Sequence, residues 1–208
     1  MAKKQKNTSF AKKGVVLAKA EFIENTGLMF DELLLLVVDA QERLLDKIDQ
    51  GEHFKKRLQF VVDVACIMGI NIAFTEQCPD KLGATWSSLL TASPKSPRFA
   101  KKTFSALACP HFSDWLEKQP FKHILVVGLE TPVCIYQTVL DLIHKDLECT
   151  LLVDALGSRC PKDADSVLKT LKGASCHCLP SETVFYSMLR SSDHPLFKAL
   201  NEKVKQLY

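Results

Sequence analysis

Residues 33–41 read LLLLVVDAQ: six aliphatic side chains in an unbroken row, then an aspartate. A strand with one wet face alternates apolar and polar residues. A continuous aliphatic run therefore predicts a strand buried on both faces, as in a parallel sheet covered by helices. Asp39, the first polar residue, then stands at the carboxyl end of the strand, the side on which open α/β sheets bind ligands.

Working outward, Phe54, Leu58, Val61, Val62, Ala65 and Met68 fall on one stripe of a helix that Gly69 stops. NIAFT at 71–75 reads as a second strand, HILVVG at 123–128 as a third, CTLLVD at 149–154 as a fourth, and 176–179 as a fifth. Helices are expected over 135–144, 163–171, 181–190 and 195–207. The stretch from Thr75 to about Arg98 carries Pro79, Gly83, Pro94 and Pro97 and reads as a long irregular loop. Parallel neighbours need a crossover, usually helical, so strands alternating with helices predict an α/β domain with helices on both faces of the sheet.

The chain has 208 residues, 47% of them apolar, which suits one domain with a core that needs no disulfide or structural metal. Its eight cysteines are too sparse for a disulfide scaffold and include no CxxC pair, so a reducing compartment is expected. Cys176 and Cys178, two apart in a strand, share one face. Lys3, Lys4, Lys6, Lys12 and Lys13 supply five of the 27 basic residues, which leaves 22 against 24 acidic ones beyond residue 13. The body is near neutral, which argues against a nucleic-acid partner held by anything but the tail. Val15 to Ala18 is too short for an export signal, and the run at 33–38 is far below the roughly 20 residues that span a bilayer. A soluble, cytoplasmic protein with no membrane partner is the expectation. Residues 1–30 are read as a basic N-terminal extension and 31–208 as the domain.

Polar residues just after aliphatic runs are the candidates for chemistry: Asp39, Glu76, the segment 128–134 and Asp154. Any one of them could equally be a helix cap or a turn residue. Cys134 stands where a strand has ended and a helix begins, and the N–H groups and dipole of a helix start favour a thiolate. The rest of such activation needs a cation or a base, for which Lys101 and Lys102 are the nearby loop candidates.

These residues together resemble the signature of the isochorismatase-like cysteine hydrolases. Asp39 in VVDAQ, Lys101 three residues before Phe104-Ser105-Ala106, and GLETPVCIYQT with Cys134 and Thr138 look like that family's three blocks, in the family's order. TEQCPDKLGAT, VVDALGSR and HPLFKALNEKV are further similar to its small isochorismatase-domain proteins, whose substrates are mostly undefined. The resemblance implies a parallel sheet of about six strands, a homo-oligomer, a small-molecule substrate and hydrolysis of a C–N bond in a small amide. It implies Cys134 as nucleophile, Asp39 as base and Lys101 as supporting cation, with Lys102 as the adjacent alternative. It also implies an oxyanion hole from the backbone N–H groups of Cys134 and Glu130, next to a cis bond at Leu129–Glu130.

The sequence departs from the nicotinamidase branch, which places an Asp-x-His pair and a further His after the second strand to hold a divalent metal. Here residues 75–80 read TEQCPD, and the six histidines lie scattered, so neither a metal nor another cofactor is expected. Glu76 and Gln77 are candidate substrate contacts, although Glu76 at a strand end could equally cap a loop. Phe104, Trp86 and Tyr136 are apolar pocket walls or core, and Thr138 reads as packing. A non-catalytic protein that uses the same fold to bind a partner is the alternative reading.

Overall fold

In the computed structural model, which describes residues 29–48, 51–172, 174 and 176–208, the run at 33–38 is a strand with no side chain more than 4% exposed. All but the last two residues of the expected extension 1–30 lie outside the described residues. The strands are β1 (Leu33–Val38), β2 (Asn71–Gln77), β3 (Arg98–Lys101), β4 (His123–Gly128), β5 (Glu148–Leu156) and β6 (His177–Leu179). They form one sheet in the order β3-β2-β1-β4-β5-β6, and every ladder is parallel. The chain winds outward from β1 to β3, then returns and winds the other way from β4 to β6. The turn-around puts the switch point at the carboxyl ends of β1 and β4, where open sheets of this order bind ligands.

Period two assigns the strand side chains to two layers. Leu33, Leu35, Val37, Ile72, Phe74, Leu125 and Val127 face one layer; Leu34, Leu36, Val38, Ala73, Ile124 and Val126 face the other. Full burial of a Leu or Val contributes roughly 1.5–3 kcal/mol, so a one-residue slip of β1 would exchange the layers and is strongly disfavoured.

Among the described residues the helices are α1 (Glu42–Leu45), α2 (Gly51–Met68), α3 (Pro79–Leu82), α4 (Ser87–Ala92), α5 (Pro110–Leu116), α6 (Tyr136–His144), α7 (Pro161–Lys172), α8 (Ser181–Leu189) and α9 (Phe197–Lys205). α2, α8 and α9 cover the first layer, and α5, α6 and α7 the second. α2 buries the stripe Phe54, Leu58, Val61, Val62, Ala65 and Met68 and ends at Gly69, at φ 73, with the Ile70 N–H on the Ala65 carbonyl at 2.9 Å.

The structure adds to the sequence reading, with the helices α1 and α5 and a longer β5 among the additions. β2 runs two residues further, through Glu76 and Gln77. The stretch read as irregular contains the short helices α3 and α4, and the edge strand β3 forms at its end. A turn of π-helix (Thr131–Ile135) precedes α6. No described helix is long and apolar enough to cross a membrane.

Candidate active site

Asp39 leaves β1 in the left-handed region, at φ 51, which Asp tolerates better than most residues. This turns its carboxylate under the end of the sheet, where it is fully buried. Oδ1 accepts the Thr75 hydroxyl at 2.8 Å, Oδ2 accepts the Lys101 ammonium at 2.7 Å, and the Asp39 N–H meets the Thr75 carbonyl at 3.0 Å. Thr75 pairs with Val38 across the β1–β2 ladder, so the ladder register holds this arrangement.

Lys101 closes β3 opposite Gln77 of β2. Its side chain is wholly buried, and Nζ reaches Asp39 Oδ2, Gln77 Oε1 at 2.7 Å, and the carbonyls of Thr103 at 3.2 Å and Phe104 at 3.0 Å. An ammonium has three protons to share among these four acceptors, so the charge is fully solvated by protein. Lys102 is exposed, and its carbonyl accepts the Gln77 amide at 3.0 Å. Lys101 and not Lys102 therefore meets Asp39. Gln77 is fixed in turn by Gln41, whose side-chain amide bonds the Gln77 N–H at 2.7 Å and its carbonyl at 3.1 Å.

Gly128, at φ 114, ends β4 against Val38, where a Cβ would be driven into the Val38 backbone. The chain then enters the π turn, in which the Val133 and Ile135 N–H groups both reach the Glu130 carbonyl at 3.1 Å. Such turns concentrate at functional sites because they redirect one side chain without breaking the helix. Here the redirected residue is Cys134, 6% exposed, whose thiol faces the Asp39 carboxylate.

Burial pushes this thiol up to about 12, and the negative charge of Asp39 adds to the effect; Lys101 and the Glu130 N–H pull the other way without prevailing. The sequence had suggested a thiolate favoured by the helix start. In the structure desolvation outweighs that pull, and the thiol form dominates at neutral pH. The proton rests on sulfur, beside a carboxylate that can receive it.

At this turn one expectation is corrected. Every peptide bond among the described residues is trans, Leu129–Glu130 included. Beside it the strand ends with Gly128 at φ 114 and a register shift between β4 and β5. Glu76 turns away from Asp39 and Lys101. Period two sends it to the face opposite Thr75 and Gln77, where Oε1 accepts both the N–H and the hydroxyl of Thr85 at 2.9 Å.

The remaining candidates divide similarly. Glu130 turns its carboxylate to the Arg159 N–H at 3.1 Å and Nε at 3.0 Å, which leaves its backbone amide toward the Cys134 sulfur. Phe104 offers its carbonyl to Lys101 and is itself 52% exposed. Thr138 accepts the Ala106 N–H at 2.9 Å, and Trp86 packs on the other layer. Asp154 accepts the Ser181 N–H and hydroxyl at 2.7 Å each at the start of α8, and the Arg57 guanidinium stands 3.6 Å from it. Among the described residues no three His, Cys, Asp or Glu side chains gather as a metal site.

Sequence reasoning passed over Thr75 and Gln41. Each is a polar residue beside an aliphatic run, and the parity of Thr75 with Ala73 places it on the face that Asp39 turns toward.

The model of the Isochorismatase domain family matches residues 33–183. Isochorismatase domain-containing protein 2A of Mus musculus is 27% identical over 173 residues, covering 83% of this chain and 82% of its own. The structure of MAR1 ribonuclease from Caenorhabditis elegans is 30% identical and superposes with a TM-score of 0.79, over 86% of this chain and 92% of that one. The YcaC gene product of Escherichia coli, described as an octameric hydrolase of unknown specificity, shares the fold at 19% identity and a TM-score of 0.75, over 87% and 97% of the two chains.

Proposed function

Because the chain belongs to the isochorismatase family, we propose that it is a metal-independent cysteine hydrolase that cleaves the C–N bond of a small amide through a Cys134 thioester. One observation carries the reading: a fully buried Asp39–Lys101 ion pair faces a buried cysteine at the sheet's switch point. Dry ion pairs are expensive, with a penalty of several kcal/mol per ion, and an apolar pair would serve the core as well. This one places a carboxylate at a thiol.

In the reaction the Cys134 sulfur attacks the carbonyl carbon as its proton moves to Asp39. The oxyanion gathers on the N–H groups of Glu130 and Cys134, and the C–N bond breaks as Asp39 returns the proton to nitrogen. Water then attacks the thioester with Asp39 as base, releasing the acid and restoring the thiol. Lys101 pairs with the Asp39 carboxylate in its dry setting and offsets the charge that builds on sulfur; Gln77, with Thr75, aims the pair. A thiol at about 12 suits this sequence, because deprotonation happens during attack and idle thiolate is not exposed to oxidants.

The working unit would be a cytoplasmic homo-oligomer in which a neighbouring copy covers Phe104, with residues 31–208 as the domain and 1–30 as a basic extension. The ribonuclease name belongs to the worm protein. With 22 basic against 24 acidic residues beyond residue 13, this chain has no charge excess to hold a polyanion. The protonated thiol also gives a second reading its one support, a non-catalytic protein that binds a partner in the same fold. Turnover of a panel of small amides by the wild type and by Cys134→Ala decides between them. The proposal expects ammonia or amine release that disappears in the variant; release surviving in Cys134→Ala overturns it.

A further inference from the structure

The opposite end of the sheet holds a cluster of thiols that the proposed reaction does not use. Cys149 is the second residue of β5, and Cys176 stands immediately before β6. Because Thr150 pairs with His177, Cys149 and Cys176 are cross-strand neighbours, and their sulfurs lie 3.5 Å apart. Cys178, two residues on, puts its thiol on the same face, against Cys176. The three sulfurs thus form a row from Cys149, 1% exposed, through Cys176, 7% exposed, to the half-buried Cys178 on the edge strand.

The row has a direction. The Cys176 S–H bonded to Cys178 and the positive charge of Lys172 on α7 hold the Cys178 thiol below its ordinary range, whereas Cys176 is held well above it. Within the row an oxidant therefore meets Cys178 first, and the buried members carry the protons that a condensation must release as water. A metal is the less fitting occupant, since among the described residues no metal-ligating group of three forms here.

We propose that Cys178, Cys176 and Cys149 form an oxidative modification site, in which hydrogen peroxide attacks at Cys178 and the oxidation passes inward to a Cys149–Cys176 disulfide. The Cys178 thiolate attacks one peroxide oxygen, the O–O bond breaks, and hydroxide leaves a sulfenic acid on sulfur. The Cys176 sulfur displaces that hydroxyl, giving a Cys176–Cys178 disulfide and water. The Cys149 sulfur then attacks Cys176, Cys178 leaves as the thiol, and the cross-strand disulfide links β5 to β6. In sum two thiols are oxidised, and one peroxide is reduced to two waters.

The test is peroxide treatment of the full-length protein, alkylation of the remaining thiols, and non-reducing tryptic mapping. Cys149 lies in the tryptic peptide 146–159 and Cys176 with Cys178 in 173–190, so the end product joins two peptides, while the intermediate removes two hydrogens within one. The proposal expects the joined pair in the wild type, the within-peptide product in Cys149→Ser, and a loss of at least about tenfold in the rate of joining in Cys178→Ser. Wild-type protein that yields no disulfide within this trio, with Cys178 advancing instead to sulfinic acid or another cysteine oxidised first, overturns it. So does joining at the wild-type rate in Cys178→Ser. The wild-type map is readable even if a variant fails to fold, and it is independent of whether Cys134 hydrolyses anything.

Discussion

Removing the charge of Asp39 should make Cys134 more reactive toward an alkylating agent while abolishing turnover. The Cys134 thiol stands at about 12, and after burial the Asp39 charge is the largest contribution to that height. In Asp39→Asn that contribution vanishes and Lys101 loses its counter-ion, so its positive charge acts on the sulfur alone. Loss of a like charge at this range lowers the thiol by about 2 pH units, which raises the thiolate fraction at pH 8 about 100-fold. Each thiolate becomes a weaker nucleophile, by a factor of about 8 for a Brønsted slope near 0.45, so alkylation by iodoacetamide should accelerate about tenfold. Gln77 and the carbonyls of Thr103 and Phe104 still hold the Lys101 ammonium, so a folded variant is expected, at a cost in stability from the lost counter-ion. Amide turnover should fall by about 10²–10⁴, because the proton acceptor is gone. Peptide-resolved alkylation against pH reads the first effect, with the other seven cysteines as internal standards. Folded Asp39→Asn protein in which Cys134 reacts no faster than in the wild type would refute the argument that Asp39 holds the thiol protonated.

Three other perturbations have equally definite outcomes. Lys101→Met strands the fully buried Asp39 carboxylate without a counter-charge, and urea unfolding should show a loss of about 3–5 kcal/mol; a loss below about 1 kcal/mol would mean the pair is not dry. Glu76→Gln should weaken the hold on Thr85 by about 1 kcal/mol while leaving KM for any amide substrate within about twofold, and a KM raised tenfold would return Glu76 to the substrate pocket. His123 is pushed down to about 3, by burial first and then by the charge of His177, among neighbours that include Thr150 and Glu148. Its folded pKa lies below the unfolded value near 6.5, so its contribution to stability is complete above about pH 6.5 and is lost as pH falls toward 3. Stability should fall by up to about 1.4 kcal/mol per pH unit across that window, and His123→Gln should flatten the slope; an unchanged slope would show that His123 does not titrate on unfolding.

What was legible in the sequence follows from where burial dictates residue type. β1 and β4 lie at the centre of the sheet, where both faces must be apolar, so LLLLVV and HILVVG mark their own ends to the residue. β3 is an edge strand of four residues ending in a lysine, and nothing in Arg98-Phe99-Ala100-Lys101 resembles a core strand. It forms because β2 supplies a ladder and Asp39 supplies a charge for Lys101, both fixed by residues more than twenty positions away. Glu76 admits two readings as long as β2 is read to stop at Thr75. Once the strand extends to Gln77, period two sends Glu76 to the far face and Gln77 to Lys101. The ordered blocks located Asp39, Lys101 and Cys134, but the protonation of Cys134 was not legible, since it depends on how dry the assembled pocket is and on which charge lies nearer the sulfur.

The central claim is a covalent bond between substrate carbonyl and Cys134, and rapid acid quench followed by peptide mass analysis tests it most directly. During turnover of an amide found by screening, the peptide containing Cys134 should carry the mass of the acyl group, with the nitrogen fragment released in equal amount, and Cys134→Ala should show neither. Turnover with no acyl group on Cys134, or an acyl group on any other residue, would contradict the account.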